Sequence, residues 1–171
     1  NSANERRRQI REEYWKDEDL WTGDDDGWFK APRTMPLVLA LLSSKEISGN
    51  QDPSRVYFEL LSRHMTEGVI EMASELDHAF AAGYEGQRAL RTWQERMAIL
   101  EKHGFIKTKQ VGNQQYKYVA LIHPTTAVQR LYTAGKINEV WWGAYCSRKA
   151  ETKEPPFTQR QSEKESEDNQ S

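Results

Sequence analysis

Residues 87–122 read QRALRTWQERMAILEKHGFIKTKQVGNQQYKYVALI, and the fold turns on this stretch. At about 100° per residue, Leu90, Trp93, Met97 and Leu100 fall within one arc, while Arg88, Arg91, Thr92, Glu95 and Lys102 fall on the opposite one. The spacing predicts a helix over about 87–103 with one face to pack and one left for contact. Gly104 follows it where a left-handed residue closes a helix at least cost. Phe105 to Gln110 and Gln115 to Leu121 then read as two strands, joined through Val111-Gly112-Asn113-Gln114, which supplies hairpin-turn chemistry. A helix is followed at once by a β-hairpin.

Outward toward the N-terminus, Gly83 and Gly86 bracket a tight turn. Before it, Ala73 to Ala82 carries a helical pattern with Leu76, Ala79 and Phe80 expected inward. Val69 to Met72, just past Gly68, fits a short strand or the start of a helix equally well. A helix opened by Asp52-Pro53 places Val56, Tyr57, Leu60, Leu61 and His64 in one stripe. Ser48 to Gln51 reads as the loop before it, and Thr34 with Pro36 is expected to cap a short apolar helix ending near Ser43. Trp28 and Phe29 are expected to anchor the chain as it returns from a turn at Gly23 to Gly27. The first twenty residues read as a charged helix with Ile10, Tyr14 and Trp15 as its apolar contacts.

Toward the C-terminus, His123-Pro124 opens a helix through Val128, Leu131 and Tyr132 that Gly135 stops, and Asn138 caps a last helix with Trp141, Trp142 and Tyr145. Those aromatics either complete the core or pair two subunits. From about Glu151 the chain is rich in Glu, Ser, Gln and Lys with one aromatic, Phe157, a composition that buries too little surface to order itself. The expected organisation is a charged helical arm over 1–27, a domain over 28–150 and a disordered polar tail over 151–171. The fold class is mainly α with a small β-hairpin.

The bulk properties agree with a single domain. A chain of 171 residues with 37% hydrophobic content, six Trp and seven Tyr has material for an aromatic-rich core, and a mean hydropathy of -0.89 reflects polar flanks. The longest apolar run, Met35 to Leu42, is far short of the roughly 20 residues that span a bilayer. Arg6, Arg7 and Arg8 lead into Glu12, Glu13 and Asp17 instead of an apolar stretch, so neither a secretory signal nor a membrane location is expected. Cys146 stands alone, which rules out an internal disulfide within this sequence and fits a reducing cytoplasm.

Enzyme chemistry finds little footing. No Gly-rich phosphate loop follows a strand, no Ser nucleophile elbow is visible, and Cys146 beside two Trp reads as a small buried hydrophobe. His64, Glu67, Glu71, Glu75, Asp77 and His78 could imitate a metal site, but neighbours such as Asp77 and His78 point about 100° apart on a helix. Asp24 to Asp26 is too short a run of ligands for a calcium loop. Neither a cofactor nor a metal is expected, and the chain is not read as an enzyme.

The net charge of -2 hides an uneven distribution. Between Tyr84 and Val119, seven lysines and arginines stand against three glutamates, an excess of about +4 in the decisive stretch.

The order of helix, turn, helix, glycine stop and hairpin over about Ala73 to Ile122 resembles the winged helix-turn-helix family, with extra N- and C-terminal helices. Its landmarks are Glu75-Leu76-Asp77-His78-Ala79, Arg91-Thr92-Trp93-Gln94-Glu95-Arg96-Met97 and Leu100-Glu101-Lys102-His103-Gly104-Phe105-Ile106. The resemblance implies a recognition helix in the major groove of duplex DNA and a wing against phosphates. Arg88, Arg91, Thr92 and Glu95 then suit base reading, with Arg96 for positioning. Lys107, Lys109, Asn113, Gln114, Gln115 and Lys117 make the wing a donor-rich clamp, short and without Arg at its tip. A homodimer through the N- and C-terminal helices would match palindromic half-sites. The implied role is sequence-specific regulation of transcription or replication; the alternative is a winged-helix adaptor that meets acidic protein surfaces.

Overall fold

The structure is a computed structural model that describes residues 1–23, 26–63 and 67–155. In chain order the elements are α1 (Ser2–Tyr14), a 3-10 turn (Asp17–Asp19), α2 (Met35–Ser43), α3 (Lys45–Ser48), α4 (Ser54–Ser62), β1 (Val69–Glu71), α5 (Glu75–Ala81), α6 (Ala89–Lys102), β2 (Ile106–Val111), β3 (Gln114–Leu121), α7 (Pro124–Thr133) and α8 (Glu139–Glu151). The chain is thus mostly helical with one small antiparallel sheet.

The centre is α6, built as its periodicity requires. Trp93, Met97 and Leu100 are fully buried, and Leu90 is partly so. They meet Val56, Tyr57 and Leu60 of α4, Val38 and Leu42 of α2, Val128 of α7 and Tyr145 of α8 in one core, where each such side chain contributes roughly 1.5–3 kcal/mol. Trp93 meets Tyr116 edge-on at 5.6 Å, and Tyr57 lies 5.4 Å from Phe105. At the end of α6 the Gly104 N–H donates to the Glu101 carbonyl (3.1 Å) and the Phe105 N–H to that of Leu100 (3.0 Å), a Schellman closure. Gly104 has φ of +81° and open space where a Cβ would stand, so conformation, not room, demands glycine.

The sheet has three strands in the order β1-β3-β2, all antiparallel. Val69 to Glu71, which as a sequence fitted strand or helix, is the third strand and pairs Ile70 with Val119. Lys109 faces Tyr118 while Val111 faces Gln114, so two steps along β2 match four along β3. The surplus is a bulge in β3. Tyr116 and Val119, three residues apart and so on opposite sides of a regular strand, are both buried next to this shift of register.

Several expectations need correction. Leu76 and Phe80 do not face inward: they are 58% and 69% exposed, and α5 turns His78 and Ala79 to the core. Trp28 is exposed and stacks on Trp21, leaving Phe29 alone to pack against the core, edge-on to Phe58. The Thr34 hydroxyl does not cap α2 but donates to Glu154 at 2.9 Å. The polar tail therefore starts later than Glu151: α8 includes that residue, and Glu154 returns to Thr34 and lies 3.5 Å from Lys149. Ser48 belongs to a short helix, and the charged N-terminal helix stops at Tyr14. His64, Asp24, Asp25 and residues 156–171 of the expected tail lie outside the described residues.

Helix α8 uses its aromatics internally. Trp141 stacks on Tyr145 at 5.0 Å and donates its indole N–H to the Leu37 carbonyl (3.0 Å), while Trp142 stacks on Tyr132 at 4.0 Å. Cys146 is half-buried beside them, and burial pushes its thiol pKa up. No helix among the described residues is long and apolar enough to cross a membrane.

Candidate functional site

The outer face of α6 carries the residues singled out from sequence, and the structure sorts them. Arg88 stands exposed at the N-cap position, its carbonyl accepting from the Thr92 N–H at 2.9 Å. The Arg91 side chain is 84% exposed and sits 3.3 Å from Glu95. Such a solvated pair is worth only about 0.3–0.5 kcal/mol, so Arg91 can be drawn off by a stronger anion. Glu95 also lies within 3.5 Å of the Gln51 amide and 3.7 Å of Arg96. Three donors thus converge on the one carboxylate of this face. Arg96 is withdrawn: its side chain is 16% exposed and its guanidinium lies 6.0 Å from the centre of the Tyr84 ring. Thr92 is half-buried.

The hairpin divides in the same way. Ile106 and Thr108 face inward, and the Thr108 hydroxyl donates to Glu101 of α6. Strand alternation therefore sends Lys107 and Lys109, both exposed, out from the opposite face of the sheet. Asn113, Gln114 and Gln115 are exposed at the tip, whereas Lys117 is half-buried and pairs with Glu71 at 3.3 Å. Tyr116 is buried against Trp93, and burial raises its pKa, helped by the charges of Glu101 and Glu75. Among the described residues, Arg88, Lys107 and Lys109 enter no ion pair. The available cations fall in two groups, Arg88, Arg91 and Lys102 on α6 and Lys107 with Lys109 on the outer sheet face.

Behind this surface lies a polar cluster that reading the sequence missed. Glu59 of α4 is buried and accepts from His78 of α5, itself buried, and from Arg63 at 3.0 Å. Its signal was positional: Glu59 stands beside Leu60 and three residues from Val56, on the packed side of α4, where a carboxylate needs donors. Glu75 and His78 stand three apart on α5, a spacing open to a metal reading, yet their side chains do not converge. Glu75 accepts from Gln94 at 3.4 Å while His78 is held by Glu59. Among the described residues no group of three or more His, Cys, Asp or Glu side chains is arranged to hold a metal ion.

Compared with known proteins, the chain matches no family model, no curated protein and no solved structure.

Proposed function

We propose that this chain is a winged-helix protein that binds double-stranded DNA, with α6 entering the major groove and the β2–β3 hairpin lying against phosphates. The carrying observation is the outer face of α6, where Arg88 and Arg91 are exposed on a helix whose other face is wholly committed to the core. The order α4, β1, α5, α6, β2, β3, with β1 added beside β3, supports the fold assignment. Within the interface, Arg88 and Arg91 are the base-reading or phosphate-clasping pair, and Lys107 and Lys109 with the hairpin tip neutralise phosphates. Glu95 tunes Arg91 by competing for it, while Arg96 and Lys117 hold the scaffold. A regulatory role in transcription or replication follows from occupancy without covalent chemistry.

The test is fluorescence anisotropy of a labelled mixed-sequence duplex across a salt series. Arg91→Ala should weaken binding about tenfold, and Lys107→Ala with Lys109→Ala should reduce the steepness of the salt dependence by roughly one for each phosphate no longer neutralised. Unchanged affinity and salt slope in both variants would overturn the assignment. A second reading, a winged-helix adaptor, draws on Leu76 and Phe80, an exposed apolar pair one turn apart on α5. Loss of a protein partner in Leu76→Ser with Phe80→Ser, together with DNA titrations that stay flat, would favour it.

A further inference from the structure

The N-terminal arm has a pocket of its own. After α1 the chain turns back through Asp17–Asp19, and an ion pair between Arg11 and Asp17 at 3.3 Å ties the return. This brings Trp21 alongside α1, so that Arg6, Arg7, Ile10, Arg11, Trp15 and Trp21 line an open cavity of about 660 Å³. Trp28 stacks on Trp21 with ring centres 4.6 Å apart and planes 6° from parallel, which fixes the plane of an indole that is itself 78% exposed. The Arg11 Nε–H is shielded from solvent and, despite the nearby Asp17, has no hydrogen-bond acceptor among the described residues.

We infer that this pocket binds a nucleotide, its base stacked against Trp21 or Trp15 and its phosphate held by Arg6, Arg7 and Arg11. Aromatic rings beside guanidinium groups are what an unpaired nucleotide needs, because every base offers a π-face and the guanidinium fork matches phosphate oxygens. No carboxylate is among the residues that line the pocket, although Glu13 stands two turns from Arg6 on the same side of α1 and Asp17 pairs with Arg11. The wider arm is acidic, with nine Asp and Glu against five Lys and Arg in residues 1–27. That excess repels a long polyanion over the Debye length of about 8 Å, so the pocket suits one nucleotide or the unpaired end of a strand better than a duplex. It is separate from the α6 face, and its ligand does not depend on the DNA assignment.

The experiment titrates the full chain with a fluorescein-labelled eight-residue oligothymidylate, then competes with AMP, adenosine and inorganic phosphate. Saturable binding is expected, with AMP a better competitor than adenosine or phosphate alone. Displacement by AMP identifies a free nucleotide as sufficient; retention of the oligonucleotide against AMP identifies the strand end; either supports the site. Trp21→Ala should weaken binding about tenfold, Trp21→Phe should restore most of it, and Arg6→Ala with Arg7→Ala should flatten the salt dependence. Circular dichroism melting should be unchanged in all three, since Arg6, Arg7 and Trp21 are all exposed. The inference is overturned if neither AMP nor the oligonucleotide binds up to about 1 mM, a free energy near 4 kcal/mol. It is equally overturned if phosphate competes as well as AMP, or if Trp21→Ala binds as tightly as the parent.

Discussion

The arginines of α1 and α6 are chemically alike but belong to different kinds of helix. Helix α6 is nailed down: Trp93, Met97 and Leu100 are fully buried and Gly104 closes its end, so Arg88 and Arg91 are carried on a rigid rod. Helix α1 buries nothing, and its partners are the short turn and the tryptophans that fold back on it. The two surfaces therefore take their geometry from different sources. On α6 the core sets it, and a ligand finds the cations already placed; on α1 local ion pairs and ring stacking set it at little stability.

The contrast can be broken most sharply at Trp93. Trp93→Ala should cost about 3–5 kcal/mol, read from urea unfolding, because the ring is wholly enclosed and its loss leaves a cavity between α5, α6 and β3. A loss below about 1 kcal/mol would mean that α6 is not the anchored element described.

A smaller effect comes from His103, at the C-cap of α6. Burial lowers its pKa below the ordinary histidine value of 6.5, and Lys102 and Lys136 add to the shift, while the Ile47 backbone opposes it. The folded protein then binds a proton there less readily than the unfolded chain. The contribution to stability is intact above pH 6.5 and is lost as pH falls through that value toward the lower folded pKa. Thermal melts between pH 8 and pH 5 should accordingly decline less steeply in His103→Gln than in the parent; parallel slopes would contradict it.

The smallest effect belongs to the arm. Tyr14→Ala removes an aromatic that is exposed, and stability should stay within about 0.5 kcal/mol of the parent by the same urea assay. A loss above about 1.5 kcal/mol would show that the arm is packed as firmly as α6.

Legibility in the sequence followed element length and the number of independent signals. Helix α6 offered fourteen residues, one coherent apolar arc and a glycine stop, and its buried face is the one the spacing implies. Helix α5 has seven residues, less than two turns beyond its caps. Its two largest apolar side chains, Leu76 and Phe80, invited an inward reading, yet the buried side is set by His78 reaching Glu59 and by Ala79 letting α4 and α6 come close. Strand β1 was ambiguous because three residues have no period of their own; it exists because β3 offers them a free edge.

At the candidate site, residue type was readable and availability was not. Arg88, Arg91, Lys107 and Lys109 are exposed as their positions implied; helical spacing sets Arg91 opposite the apolar arc and Arg96 at its edge, but does not say what either meets. One lies on solvent and the other lies over Tyr84, which arrives from the turn before α6. Lys117 likewise meets Glu71 only because β1 pairs with β3.

The central helix, its glycine closure, the hairpin and the capped C-terminal helices were already written in the sequence, since each is specified by interactions within a few residues. Tertiary structure alone settled the third strand, the bulge next to Tyr116, the Glu59–His78 link and which cations stay in solvent. Each of these depends on partners distant along the chain, and a periodic pattern records only which side of an element is apolar, not what that side will meet.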